Sequence, residues 1–252
     1  PPPPPPTPPP PPPPPPLLCY RRQRQMCIRD SSSNEQGQRR VRSFVRRAGR
    51  ITTGQQRALD ELWPRWGVER PAGSLDLDKL FGRQAPRVLE IGIGDGEVLL
   101  TMAGQHPDQD FMGAEVHEPG IGHCLLGIEK AGLTNVRLIR QDAILVLRDW
   151  LPDSCLDRVN LFFPDPWPKK RHHKRRIVQA SFLSLLARRL KSGGLLHMAT
   201  DWAPYAEHME EMLATSAQFE PLSDAGDRPP TKFERRGKRL GHEIRDLRYR
   251  RA

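Results

Sequence analysis

RVLEIGIGDG, at residues 87–96, is a short apolar run that breaks into three alternating glycines. Val88, Leu89 and Ile91 suit a strand buried on both faces, and Gly92, Gly94 and Gly96 permit a tight turn at which backbone can approach a ligand. Glu97 to Gln105 then reads as a helix stopped by Pro107. The same strand-to-helix alternation recurs downstream. DFMGAE (110–115) predicts a second strand, Pro119 to Ala131 a helix closed at Gly132, VRLIR (136–140) a third strand and Ile144–Trp150 a helix. DRVNLFF (157–163) predicts a fourth strand that stops at Pro164. Val178, Phe182, Leu185 and Leu186, at three- and four-residue spacing, predict a long helix ended by Gly193. LLHMAT (195–200) predicts a fifth strand, and Trp202 to about Thr215 a last helix. Such alternation implies a doubly wound α/β fold, with a mostly parallel sheet covered on both faces. Residues 242–251 are expected to supply late antiparallel edge strands.

Upstream the chain changes character. Fifteen of the first 16 residues are proline, which builds an extended rod but no core. Leu17 to Ser31 resembles a translated cloning scar, and residues 1–33 are set aside from fold reasoning, with a genuine Pro-rich interaction tail as the alternative. Residues 34–84 read as a basic arm, with Val41, Phe44 and Val45 between cations, then a short helix that Thr52-Thr53 followed by Gln55-Gln56 opens as a capping box and Pro64 ends. Residues 67–84 look like an irregular connector, and residues 85–252 form the main domain.

The 252-residue chain carries a net charge of +10. The charge is divided: +8 over residues 1–50, −5 over 51–227 and +7 over 228–252. A mildly acidic body with basic ends suits a polyanionic partner, although solvated tails would look the same. No apolar run reaches the ~20 residues needed to span a bilayer. Cys19, Cys27, Cys124 and Cys155 make no CxxC pair, so neither a disulfide framework nor a metal site is expected, and a reducing, cytoplasmic setting fits.

In doubly wound sheets ligands bind at the carboxyl ends of strands, so those ends carry the candidates. A dinucleotide fingerprint wants a third glycine at position 97, where this chain has Glu97. Glu90, before the turn, would repel a pyrophosphate and welcome a cation. The pattern therefore favours an S-adenosylmethionine pocket over NAD. Glu115, at the end of the second strand, can accept from both ribose hydroxyls in either case. Asp142 either bonds an adenine amino group or caps the next helix. The fourth strand runs into LFFPDPWPKKRHHKRR (161–176). Pro164 and Pro166 hold Asp165 on a stiff loop, and Trp167 offers a face for base stacking. Lys169, Lys170, Arg171, Lys174, Arg175 and Arg176 then place six cations in eight residues. At the start of a helix they oppose its dipole, which points to a phosphate rather than a solvated face. His172 and His173 lack companion ligands and read as RNA-contacting or solvated groups, not a metal site. Asp201 either caps the last helix or touches substrate. Thr231, Lys232, Phe233 and Glu234 lie in a predicted loop.

EIGIGDG (90–96), GAEVHEPG (113–120), LFFPDPWPKKRHHKRRI (161–177), HMATDW (197–202) and TKFERRGKRLGH (231–242), in this order, closely resemble the bacterial tRNA (guanine-N(7)-)-methyltransferase family. The resemblance runs from about Gln38 to the C-terminus. It implies a class I methyltransferase domain over 85–252 and methyl transfer from S-adenosylmethionine to N7 of a guanosine in the tRNA variable loop. By motif, Glu90, Glu115, Asp142 and Asp165 match cofactor-contacting acids, and Gly92, Gly94 and Gly96 form the turn they surround. Asp165 also matches the catalytic position. Lys169, Asp201 and Thr231 to Glu234 match substrate-binding positions, and Arg171, His172, His173, Lys174, Arg175 and Arg176 match an RNA-interacting run. No metal, membrane or obligatory protein partner is implied, and the chain is expected as a monomer or homodimer. Two other readings stay in view: an NAD(P)-dependent oxidoreductase, and an RNA-binding protein without activity.

Overall fold

The computed structural model describes residues 42–44, 49–224, 226 and 228–252. The readings of residues 1–33 and of most of the basic arm lie outside them. Among the described residues one eight-stranded sheet has the order β1-β4-β3-β2-β5-β6-β8-β7. Its centre is β2 (Arg87–Ile91), flanked in parallel by β3 (Asp110–Ala114) and β5 (Leu156–Phe162). β4 (Val136–Ile139) pairs with β3, and β6 (Leu190–Thr200) with β5, again in parallel. β8 (Arg245–Arg251) returns antiparallel to β6 and carries β7 (Phe219–Pro221) outside it. The tail is thus inside the sheet rather than at its edge.

Every residue of β2 is buried. Leu89 and Ile91 enter one apolar core and Val88 the other, as a strand's two-residue period requires. The helices α4 (Glu97–Gln105), α5 (Glu118–Ala131), α7 (Ala180–Arg189) and α8 (Ala203–Ala214) cover the two faces. Gly132 ends α5 in the left-handed conformation that favours glycine.

Four local readings need correction. Pro64 does not simply end a helix: α1 (Thr53–Glu61) has its capping box at Thr52, and Pro64 opens the next turn, α2 (Trp63–Trp66), since a missing N–H costs nothing there. The connector contains β1 (Gly67–Val68), paired with β4, and α3 (Leu77–Phe81), while α1 packs on α5, so residues 53–81 belong to the sheet's own unit. The helix expected over Ile144–Trp150 is one turn, α6 (Ala143–Leu145), followed by a π-helical turn over Val146–Trp150. Gly193 does not stop α7; it sits within β6 at φ 78°, near a register shift against β5. A glycine in a strand marks such an irregularity as readily as it caps a helix.

One buried side chain fixes the α4–β3 connection. The Asn135 amide donates to the carbonyl oxygens of Ala103 (3.0 Å), His106 (3.2 Å) and Gln109 (2.9 Å). Asn135→Ala should lower stability by about 1–3 kcal/mol, because buried carbonyls lose their donor. Urea denaturation of the two proteins measures this; equal midpoints would mean that water replaces the amide.

Candidate active site

The direction of winding reverses between β2 and β5, and a crevice opens at their carboxyl ends. A cavity of about 250 Å³ occupies it, lined by Gly92, Gly94, Glu115, Asp142, Phe162, Phe163, Asp165 and Phe233 among others. A second, of about 30 Å³, shares Gly92, Phe162, Phe163 and Phe233 and is lined by Glu90, Asp95, Thr231 and Lys232.

Gly92, Gly94 and Gly96 all have positive φ, at 74°, 58° and 82°. The turn is packed from behind by α5, where a Cβ on Gly120 would collide with the Gly94 carbonyl oxygen. Glu115 locks it from the front. One Glu115 oxygen accepts from Gly94 N (3.0 Å), and the other accepts from Val116 N (2.6 Å) and His117 N (2.9 Å). The carboxylate is therefore held in place while Oε2, with one bond, retains a free lone pair. Asp142 does cap α6, accepting from Ile144 N at 3.0 Å, and it lines the cavity as well. The two readings of this residue are compatible, because a carboxylate has two oxygens.

Glu90 is buried near the end of β2, and among the described residues its Oε2 has no hydrogen-bond partner. Burial pushes its carboxyl up to about 8, against the opposing pull of the Arg158 guanidinium. An acid in that condition gains most from a cationic partner.

The loop after β5 bends sharply around Asp165. Phe163 and Trp167 bracket it with φ values of 51° and 47°, a conformation that costs a non-glycine residue energy and is held by what surrounds it. Asp165 is exposed at the cavity, and among the described residues nothing hydrogen-bonds to its carboxylate. Trp167 is less free than expected: its Nε1 donates to Ser43 O (3.0 Å), and Arg175 stacks on the ring at 4.7 Å. The exposed aromatic at the cavity is Phe233, 45 % accessible and stacked on Phe163.

The cations Lys170–Arg175 form a separate 3-10 helix ahead of α7, so the dipole of α7 does not bear on them. The run also differs in its pairing from the cations downstream. None of Lys169, Lys170, Arg171, Lys174 and Arg175 has a carboxylate partner among the described residues, whereas Arg228, Lys232, Arg235 and Lys238 are all paired. Slight desolvation and the cations Arg171, Arg175, Lys169 and Lys174 together hold the His172 imidazole below its usual range. Arg176 departs from the expectation for the run. It is buried, donates to Pro166 O (3.0 Å) and Pro204 O (3.3 Å), and lies over Tyr205, so it braces the Asp165 loop instead of facing RNA.

The TKFE segment is not a loop. Thr231 is the N-cap of α9 (Lys232–Arg239), accepting from Glu234 N at 2.9 Å, and both Thr231 and Glu234 are buried. Lys232 and Phe233 are the members of this group that reach the surface. Asp201 is not the cap of α8, whose N-cap is Trp202; it lies against Gly237 and 3.5 Å from His242 Nδ1, outside the cavity. Sequence reading overlooked Ser43 and Phe44, which line the cavity from the basic arm. An aromatic among arginines was the only signal available, since the Trp167–Ser43 bond spans 124 residues.

The donor set is consistent with S-adenosylmethionine. An apolar-walled cavity holds carboxylates for hydroxyl and amino groups, no Lys or Arg among the described residues lines it to receive a pyrophosphate, and the smaller cavity beside it is lined by the buried Glu90, one of whose oxygens lacks a partner. Solved structures agree on the fold. The 16S rRNA methyltransferase KamB matches with a TM-score of 0.53 over 75 % of this chain and 99 % of its own, at 16 % identity. The aminoglycoside resistance methyltransferase NpmB1 matches with a TM-score of 0.50 over 70 % and 92 %, at 18 % identity. The fold is that of a class I S-adenosylmethionine-dependent methyltransferase. Residues 84–247 match a family described as putative methyltransferase. The tRNA (guanine-N(7)-)-methyltransferase of Halorhodospira halophila is 57 % identical over 84 % of this chain and 95 % of its own length. That of Alkalilimnicola ehrlichii is 56 % identical over 85 % and 94 %. The chain belongs to the tRNA (guanine-N(7)-)-methyltransferase family.

Glu90 makes a prediction of its own. Its folded value of about 8 lies above the ordinary 4.5, so the native state holds a proton that the unfolded chain releases. Stability should therefore fall as pH rises from about 4.5 to 8 and then level off. Glu90→Gln removes this loss. The ligand-free variant should gain on the wild type by up to about 1.4 kcal/mol per pH unit between pH 5 and 8. Urea titrations across that range test it; a constant difference would place an ionised Glu90 in the folded protein.

Proposed function

We propose that the protein transfers the methyl group of S-adenosylmethionine to N7 of a guanosine in the tRNA variable loop. The observation that carries this reading is the exposed Asp165 carboxylate, held between two prolines at the cavity, beside a run of cations with no carboxylate partners. Bound in the cavity, S-adenosylmethionine supplies an electrophilic methyl group on a sulfonium.

Guanine N7 has a free lone pair, so no proton needs removal before attack. What the chain must do is orient the base and stabilise the charge it acquires. Glu115 Oε2 and Asp142 are placed to hold ribose hydroxyls and the adenine amino group. Glu90 supplies a counter-charge near the glycine turn, where Gly92, Gly94 and Gly96 admit the ligand closely. Asp165 offers its carboxylate to the purine as it becomes positive; its role is electrostatic and positional, not that of a base. The Phe233 ring lies where an unstacked base would enter, and the N7 edge is accessible on such a base. Lys169 with Lys170, Arg171, Lys174 and Arg175 hold the phosphates, His172 and His173 lie among them, and Asp201 and Lys232 are the further substrate contacts that the resemblance implies. The reading carries a cytoplasmic setting and a chain that acts as a monomer or homodimer without a second kind of subunit. Among the described residues no helix is long and apolar enough to cross a membrane.

Incubation with bulk tRNA and isotopically labelled methyl donor, followed by nucleoside analysis, should yield labelled 7-methylguanosine; label in another nucleoside would overturn the assignment. Asp165→Asn should slow transfer by at least ~10²-fold, the scale of losing one preorganised electrostatic partner, with tRNA affinity little changed. Wild-type turnover in that variant would remove Asp165 from the chemistry. For the RNA surface, Arg171→Ser with Lys174→Ser should flatten the log–log dependence of tRNA affinity on salt by something under one unit for each phosphate no longer neutralised. Filter binding at several salt concentrations checks it, and an unchanged slope would make the run a solvated face.

A further inference from the structure

Arg228 is marked in the sequence only as one cation of a basic C-terminal end. In the structure its side chain is 6 % exposed and joins three elements. Its Nε and one terminal nitrogen donate to the two oxygens of Asp246 on β8, at 2.6 and 2.8 Å. The other terminal nitrogen donates to Glu234 on α9. The guanidinium also lies 5.7 Å from the Phe162 ring and 5.5 Å from the Phe163 ring, at the end of β5.

Asp246 is a fixed anchor for this fork. His197 Nε2 on β6 lies 2.9 Å from its Oδ1, and His197 Nδ1 lies 3.1 Å from an Arg158 nitrogen on β5. Burial would raise the Asp246 carboxyl, but bonds from His197 and Arg228 hold it at about 2, so it stays ionised. On the α9 side, Glu234 directly follows Phe233, whose ring stacks on Phe163 at 6.1 Å with a 24° tilt. The other ties of this turn, Lys232–Asp95, Arg235–Glu97 and the bond that Lys232 N donates to Glu97 Oε2 (3.2 Å), involve half-exposed groups that solvent screens. The fork is the buried charged connection between the first turn of α9 and the sheet. A lysine could not replace it, because one ammonium has no planar fork with which to bridge two carboxylates.

We propose that Arg228 is a positioning residue for methyl transfer, setting the first turn of α9 so that the Phe233 ring is held over the cavity to receive the target base. This rests on the reading of Phe233 as the base platform given above. Arg228 is not itself a catalytic residue, since it acts through Glu234 and the turn that carries Phe233.

A double-mutant cycle tests it on the full chain. Arg228→Lys and Phe233→Leu should each lower kcat/KM for tRNA by about tenfold, and the double variant should be no worse than the poorer single one. The dissociation constant of Arg228→Lys for S-adenosylmethionine, by calorimetry, should stay within about twofold of wild type, since Arg228 does not line the cavity. Losses that multiply to about a hundredfold would overturn the role of Arg228 and leave Phe233 as a platform. A Phe233→Leu protein with wild-type kinetics would overturn both. A second arm needs no activity: 4-fluorophenylalanine incorporated at position 233 gives a fluorine resonance that Arg228→Lys should shift or broaden, and an unmoved resonance counts against the link. Should Arg228→Lys fail to fold, Asp246→Asn weakens the fork from its other end and enters the same cycle.

Discussion

A carboxyl group buried at the centre of the sheet without a full set of partners is the constraint around which this site is organised. Glu90 is the last residue but one of β2, a strand flanked in parallel on both sides, and one of its oxygens has no donor among the described residues. Burial raises its carboxyl to about 8 against the pull of the Arg158 guanidinium, so the ligand-free protein carries an incompletely partnered acid in its interior at some cost to the fold. A cationic ligand at the glycine turn removes that cost. The turn itself is held open for such a ligand by two features that leave no slack: the Glu115 carboxylate, accepting three backbone N–H groups, and the bare Gly120 against Gly94.

The two sides of the site follow different physical rules. The cofactor side is a lined cavity of acids on strand ends, where positions are set by the sheet register. The RNA side is a surface, and its charge is sorted. Lys232, Arg235 and Lys238 of α9, and Arg228 ahead of it, pair with Asp95, Glu97, Glu234 and Asp246 and tie the architecture together. Lys169, Lys170, Arg171, Lys174 and Arg175 have no carboxylate partner among the described residues, which leaves them free for the proposed phosphate contacts. Asp165 and Phe233 stand where the two sides meet, and each is held by rigid neighbours: proline and inward-facing Arg176 for one, the α9 turn for the other.

Much of this could be read in the sequence, for reasons that differ by element. β2 to β6 are apolar runs punctuated by glycine or proline, and period and punctuation are local signals. Glu90, Glu115, Asp142 and Asp165 could be named because strand ends are where a doubly wound sheet binds ligands. What escaped is non-local. The pairing of Gly67–Val68 with β4 is two residues long and carries no pattern. Arg176 is one cation among six until the fold turns it toward Pro166 and Tyr205. Thr231 and Glu234 do spell a capping box, threonine followed three residues later by glutamate, but the basic residues around them read as a loop. The Arg228 fork joins residues 6 and 18 positions apart, through a tertiary arrangement that no spacing announces.

The most direct test of the central claim is proton release on cofactor binding. Below about pH 8 the buried Glu90 carries a proton, and a cation bound against it must expel that proton. Calorimetric titration with S-adenosylmethionine at pH 7, in buffers of different ionisation enthalpy, should report roughly one proton released per ligand, with affinity rising from pH 6 to 8. Glu90→Gln should abolish the release. A wild-type protein that binds S-adenosylmethionine at pH 7 with no proton released, and with equal affinity at pH 6 and pH 8, would contradict the account.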